Sequence, residues 1–297
     1  MKIINLLPLL LDTLKKWENP PTKKEFKNDY FKHVQTWVQP MIDDFSSRFG
    51  GDLFDVIEGL NWPEYRAEAL CLNPEHEERR VAAHIKSVEK ILGVKLKGEV
   101  ILFGAFTAMD GYARFEKGAH RVFLGVDESH GRGAYLDVLI THELAHVARE
   151  SMACVWTGFG LDPKMSHDEF VDSLPVVEHL MSEGYSCVVS ELLNPKEDAW
   201  HYVYQTEDTL TQILEHGPAV DKVVHTELMK KHGRYGSLYN TTRYIPEIPR
   251  YGHYVWAWQW VKHLLKTHAG GDAKKLLSVC AKDLIDDALA FKLKKIA

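Results

Sequence analysis

The sequence predicts an α+β protein in which a small sheet is followed by helices. Three observations carry that prediction. Three β-rich runs, about 98–106, 111–115 and 120–127, lie together in mid-chain, separated by the turn signals Met109-Asp110-Gly111 and Lys117-Gly118. Before and after them, apolar residues recur at helical spacing. The composition, 45% apolar and 26% charged, is that of an ordinary globular chain with ample material for a core.

The elements follow in order. Met1–Leu11 has a lysine and a short apolar run, as a weak signal peptide would. Asn5 interrupts that run, however, and Asp12-Thr13-Leu14-Lys15-Lys16 follows without a small-residue cleavage site. Leu6, Leu10 and Leu14 instead predict an amphipathic helix. Phe26, Tyr30, Val34 and Val38 predict a second helix within 24–45, interrupted at Pro40, and Gly50-Gly51 marks a break. Asn73-Pro74-Glu75 starts a charged helix with Val81, Ile85, Val88, Ile91 and Leu92 on one face, ended by Gly93. These helices define an N-terminal helical region, 1–95, ahead of a second domain, 96–297. After the strands, 134–150 contains neither Gly nor Pro, and Leu136, Leu139, Ile140, Leu144 and Val147 give it a buried helical face. A long loop, Ser151–Leu174, leads to an apolar helix ending near Leu193, with Pro175 in its first turn and Ser173 or Asp172 as N-cap. Everything beyond Ala199 reads as helical and aromatic-rich, broken at Gly217-Pro218, Gly233–Gly236 and Ile245–Pro249.

Bulk properties narrow the function classes. A net charge of −6 argues against nucleic acid. No stretch reaches the roughly 18 apolar residues of a membrane span. Cys71, Cys154, Cys187 and Cys280 are widely separated with no C-x-x-C pair, so a reduced, cytoplasmic protein is the simpler expectation.

The chemistry concentrates in Thr141-His142-Glu143-Leu144-Ala145-His146, an H-E-x-x-H pentapeptide inside a helix. Residues four apart share a helix face, so His142 and His146 can both address one metal ion, with Glu143 beside them as a base. Two imidazoles that leave a coordination position open, plus a carboxylate, suit metal-assisted hydrolysis. In a chain this rich in histidine the motif arises by chance about once in twenty; the uninterrupted apolar helix around it outweighs that. The metzincin continuation, glycine at position 149 and histidine at 152, is absent, since these are Arg149 and Met152. The third ligand is therefore sought on the next helix. Glu183 sits in mid-helix, where an unpaired carboxylate is costly to bury, beside Gly184, which permits close backbone approach. Glu178, His179, Glu191 and Asp162 are its rivals.

His142-Glu143-x-x-His146 with a downstream Ser182-Glu183-Gly184-Tyr185 resembles the gluzincin branch of zinc metallopeptidases. The runs Val100–Phe106, Asp110–Tyr112 and Arg121–Asp127 leading into the motif helix resemble those of a group of predicted zinc-dependent proteases, as does Pro249–Tyr254 opening an apolar helix. The similarity covers roughly residues 98–265 and implies a two-lobed, zincin-like fold, a Zn²⁺ cofactor held by His142, His146 and Glu183, and a peptide or protein substrate. Thermolysin-type enzymes place an aspartate four residues after the ligand glutamate to orient a histidine; here that position is Cys187, so the orienting group is expected elsewhere. No Gly-x-Met-Glu-Asn segment of the aminopeptidase kind is present, which makes aminopeptidase action the less expected one.

In the expected chemistry Glu143 is the general base, and Tyr254 and His253, with Tyr251 behind them, are candidates to stabilise the oxyanion. Tyr254, Trp258 and Val261 also have the spacing of plain core. Arg121–Asp127 is either a sheet edge along which an extended peptide lies or a strand paired on both sides. Two other functions fit the motif: a non-catalytic zinc-binding module, its site structural or covered by 151–174, and a metal-dependent hydrolase of a non-peptide amide.

Overall fold

The computed structural model describes residues 1–49, 53–116, 118–127, 133–231 and 249–295. Its four-stranded sheet has the order β1-β2-β4-β3, formed by β1 (Lys2–Asn5), β2 (Glu99–Phe103), β3 (Gly111–Glu116) and β4 (Ala119–Gly125). The first three in that order run parallel, and β3 pairs antiparallel with β4. Val100, Ile101 and Leu102 of β2 and Val122, Phe123 and Leu124 of β4 are all buried, as strands covered on both faces require. The rest of the described chain is mainly helical, so the molecule is α+β. No helix among the described residues is long and apolar enough to cross a membrane.

Three expectations are corrected and one open alternative is decided. The first residues are a strand, and the helix starts only at Leu7. Asn5 Oδ1 accepts the Leu7 N–H at 3.1 Å, turning the chain out of the strand, and the buried face is Leu7, Leu10 and Leu14. Pro40 lies inside a continuous helix, Lys32–Phe49, entered through a π-helical turn at Phe26–Phe31. Val34 and Val38 before the proline and Met41 after it are all buried, so packing holds both halves in line despite the lost hydrogen bond. Of the two readings left open for Arg121–Asp127 the paired one holds: β4 is an inner strand, and β1 and β3 are the edges. Finally, the 151–174 segment contains two short helices, Ala153–Thr157 and His167–Ser173, the second held by a capping box between Ser166 and Glu169. They share a small apolar cluster of Val155, Trp156, Phe170 and Leu174. The expected breaks at Gly50-Gly51, Gly233–Gly236 and 245–248 lie outside the described residues.

Other elements fall where the sequence places them. The helix Pro74–Leu92 is capped by Asn73, whose side chain accepts the His76 N–H, and ends at Gly93 with φ of 64°. One apolar cluster includes buried residues from Leu7 to Phe291, and β1 ties the start of the chain to the sheet. Three long helices complete the frame for the site: Ala134–Glu150, Val176–Leu193 and Gly252–Thr267. The last two meet backbone to backbone at Gly184, where a Cβ would stand 2.2 Å from the Ala257 carbonyl oxygen. No larger residue fits there without separating the helices.

Candidate metal centre

Polar contacts set the register of the two helices that carry the cluster. Thr141 Oγ1 donates to the Asp137 carbonyl (2.9 Å) and meets Ser190 Oγ at 3.1 Å, and Ser190 Oγ donates to the Val138 carbonyl at 3.0 Å. Asn194 Nδ2 donates to Thr141 Oγ1 at 3.1 Å. With that register, His142 and His146 on one helix face Glu183 on the other.

The three side chains converge on a single point. His142 Nε2 and His146 Nε2 are 3.0 Å apart, and Glu183 Oε2 lies 3.3 Å from the first and 3.4 Å from the second. Ligand atoms at zinc distance from a tetrahedral centre stand about 3.3–3.6 Å from one another. Glu183 Oε2 is buried with no hydrogen-bond partner among the described residues. A buried carboxylate oxygen facing two imidazole nitrogens is a donor set suited to a borderline cation such as Zn²⁺.

The imidazoles are oriented from behind. His146 Nδ1 lies 2.8 Å from Ser182 Oγ and His142 Nδ1 lies 3.9 Å from Cys187 Sγ, which leaves both Nε2 atoms for an ion. This corrects the expectation that the orienting group would come from elsewhere than position 187. The thiol occupies that position itself, as a weaker acceptor than a carboxylate.

Glu143 stays outside the triad. It receives the Ala113 N–H from β3, and burial pushes its pKa up to about 7, with His146 opposing the rise. Gly111 lets β3 lie this close, since a Cβ there would be 3.1 Å from Glu143 Cγ. In the metal-free chain, burial alone would discharge both histidines and protonate Glu183. His142 does fall to about 4. For His146 the Glu183, Glu143 and Glu150 carboxylates outweigh burial and lift it to about 9, and the same imidazoles hold Glu183 well below the usual carboxylate range. The electrostatics thus favour a cation at this point.

The site opens on a cavity of about 230 Å³ lined by Gly111–Ala113 of β3, by the triad and Glu143, by an apolar wall that includes Val155, Phe170 and Leu174, and by Tyr254. Tyr254 therefore reaches the cavity, whereas His253 is buried and is not among its lining residues; burial pushes its pKa down to about 4. The rival ligands are engaged elsewhere. Glu178 forms a two-pronged ion pair with the fully buried Arg149, both bonds 2.8 Å. His179 Nε2 meets the Val171 carbonyl at 3.2 Å, and Glu191 accepts from Trp258 (2.8 Å) and Lys262 (2.7 Å). Asp162 caps its own turn through the Lys164 N–H.

Arg149, at the position where the metzincin pattern has glycine, has a packing role of its own. Its guanidinium donates to the Leu277 and Val279 carbonyls at 2.7 and 2.8 Å, tying the motif helix to the C-terminal segment. Glu178→Ala is expected to strand this charge and cost about 3–5 kcal/mol of stability in urea titration. A loss below about 1 kcal/mol, the scale of an exposed pair, would show that the bridge is not holding the helices together.

Sequence reasoning missed Tyr204. Its ring stands perpendicular to that of His142 at 4.9 Å, and its buried hydroxyl has no hydrogen-bond partner among the described residues. It sits in a turn at φ of 56°, outside any periodic segment, so no pattern in the sequence points to it. Ser182 was equally illegible as the partner of His146, although it adjoins Glu183.

No protein-family model, curated protein or solved structure matches the chain.

Proposed function

We propose that this protein is a zinc-dependent metallopeptidase of the zincin-like, gluzincin type. The observation that carries the reading is the triangle of His142 Nε2, His146 Nε2 and Glu183 Oε2, with sides of 3.0, 3.3 and 3.4 Å, beside a non-ligating buried glutamate. Zinc held there by His142, His146 and Glu183 would supply Lewis acidity, making water a better nucleophile and a carbonyl a better electrophile. Glu143 takes the proton of the attacking water and returns it to the leaving nitrogen. Tyr254, on the cavity wall, offers a hydroxyl to the carbonyl oxygen as charge develops on it. β3, an edge strand of the sheet that lines the cavity, offers main-chain groups at Gly111 and Ala113 on which an extended peptide can lie.

A structural zinc module is the weaker reading, because such sites close with four protein ligands, and the cluster has three among the described residues. The test starts with metal analysis of the purified chain, which should carry about one zinc per molecule. A mixed peptide library, followed by mass spectrometry, should be cut by this protein, spared after treatment with 1,10-phenanthroline, and cut again once zinc is restored. Stable zinc without cleavage of any peptide would move the assignment to the structural module.

A further inference from the structure

Resting on the hydrolase reading above, we infer that the site is an aminopeptidase site, in which Glu150 receives the free α-ammonium group of a peptide and the apolar wall receives its first side chain. The inference starts from the hydrogen-bond phase of β3. Gly125 N–H bonds the Asp110 carbonyl at 2.7 Å, so with the β3–β4 register Tyr112 and Arg114 bond to β4, while Gly111, Ala113 and Phe115 turn their main-chain groups away from it. That outer row is not open along its whole length: the Ala113 N–H is held by Glu143, which leaves the Ala113 carbonyl and the Gly111 groups. Phe115 N–H donates to His167 Nδ1 at 3.2 Å, and His167 Nε2 meets Tyr112 Oη at 2.9 Å. The helix His167–Ser173 and its apolar cluster therefore close the edge beyond Ala113.

An extended peptide adding to β3 in the stronger, antiparallel sense has its N-terminal end towards Phe115, the closed end. Glu150 stands there. It is the last residue of the motif helix, four residues and about 6 Å of helix rise beyond His146. One Glu150 oxygen meets His120 Nε2 at 3.1 Å, and the residue lines the cavity. One extended residue spans about 3.3–3.6 Å, so an amine held by Glu150 leaves room for a single residue before the scissile carbonyl at the triad. Val155, Phe170 and Leu174 line the cavity at this end, which suits an apolar first side chain. Neither lysine nor arginine lines the cavity among the described residues, whereas Glu143 and Glu150, besides Glu183, do. The reaction is hydrolysis of the first peptide bond: water oxygen bonds to the carbonyl carbon, the C–N bond breaks, and the water proton passes to the leaving amine.

The test uses the zinc-loaded full chain with leucine 4-nitroanilide and its N-acetyl twin, together with a peptide library in free and acetylated forms. The free forms should lose residues one at a time from the N-terminus, and the acetylated twins should be cut at least about tenfold more slowly, the loss of one charge-assisted hydrogen bond. In Glu150→Gln the Michaelis constant for the free form should rise and the preference should collapse. Independently of turnover, calorimetry on Glu143→Gln should show the peptide Leu-Gly-Gly binding at least about tenfold more tightly than its acetylated twin. Equal cleavage of free and acetylated peptides, or internal cuts, in a Glu143-dependent manner would overturn the aminopeptidase assignment and leave the hydrolase standing. Absence of both zinc and cleavage would overturn both. Should Glu150→Gln fail to fold, the acetylation comparison in the unsubstituted chain decides alone.

Discussion

Glu143→Gln is expected to lower peptide cleavage by about 10²–10⁴-fold, the range that a positioned general base supplies, while zinc content and folding stay unchanged. The reason lies in the geometry. Glu143 is one residue from His142, yet it makes none of the three contacts that define the metal triangle; its partner is the Ala113 N–H. Glutamine preserves its shape and can still accept that hydrogen bond, but it cannot take a proton. The comparison is made at equal zinc occupancy, with circular dichroism to confirm the fold. Cleavage that persists equally in both proteins would assign it to a contaminant or another site. Zinc lost along with activity would instead make Glu143 a ligand and break the division of labour proposed for the motif.

Glu183→Gln is expected to lower zinc affinity by orders of magnitude, because an amide oxygen carries no full charge and two imidazoles alone hold the ion poorly. The carboxylate contributes the triangle's third corner, 3.3 and 3.4 Å from the two nitrogens. Competition against a chromogenic chelator measures the change. Glu191→Gln is the matched control: same helix, same substitution, but a carboxylate already held by Trp258 and Lys262. It should bind zinc as the unsubstituted chain does. If Glu191→Gln proves the damaging substitution and Glu183→Gln the silent one, the ligand assignment falls even if a metal is present.

Much of the site was legible because its signals are local. His142, Glu143 and His146 lie within five consecutive residues, and helical geometry alone puts the two histidines on one face. Glu183 could be picked from its rivals by the cost of burying a carboxylate beside a glycine in an apolar helix. That the rivals are engaged elsewhere, Glu178 by Arg149 above all, required the packed structure. Tyr254 and His253 read alike in sequence, adjacent at the start of one helix, and only the cavity separates them.

By itself, then, the chain determined what depends on neighbours in sequence: the motif helix, the strands near 98–127, the capped helix Pro74–Leu92 and the shared helix face of His142 and His146. Tertiary structure decided what depends on pairing and packing between distant segments. Ile3 and Ile4 form a strand because β2 is there to pair with them, and Pro40 stays helical because Val34, Val38 and Met41 are held on both sides of it. β4 reads as an edge or an inner strand equally well until its partners are known. Cys187, Ser182 and Tyr204 acquire their places only when helices and turns far apart in sequence close around the histidines. The physical reason is one of range. Propensity, capping and periodicity act over a few residues, whereas strand order and the surroundings of an ion are set by burial, which brings together residues that no local pattern relates.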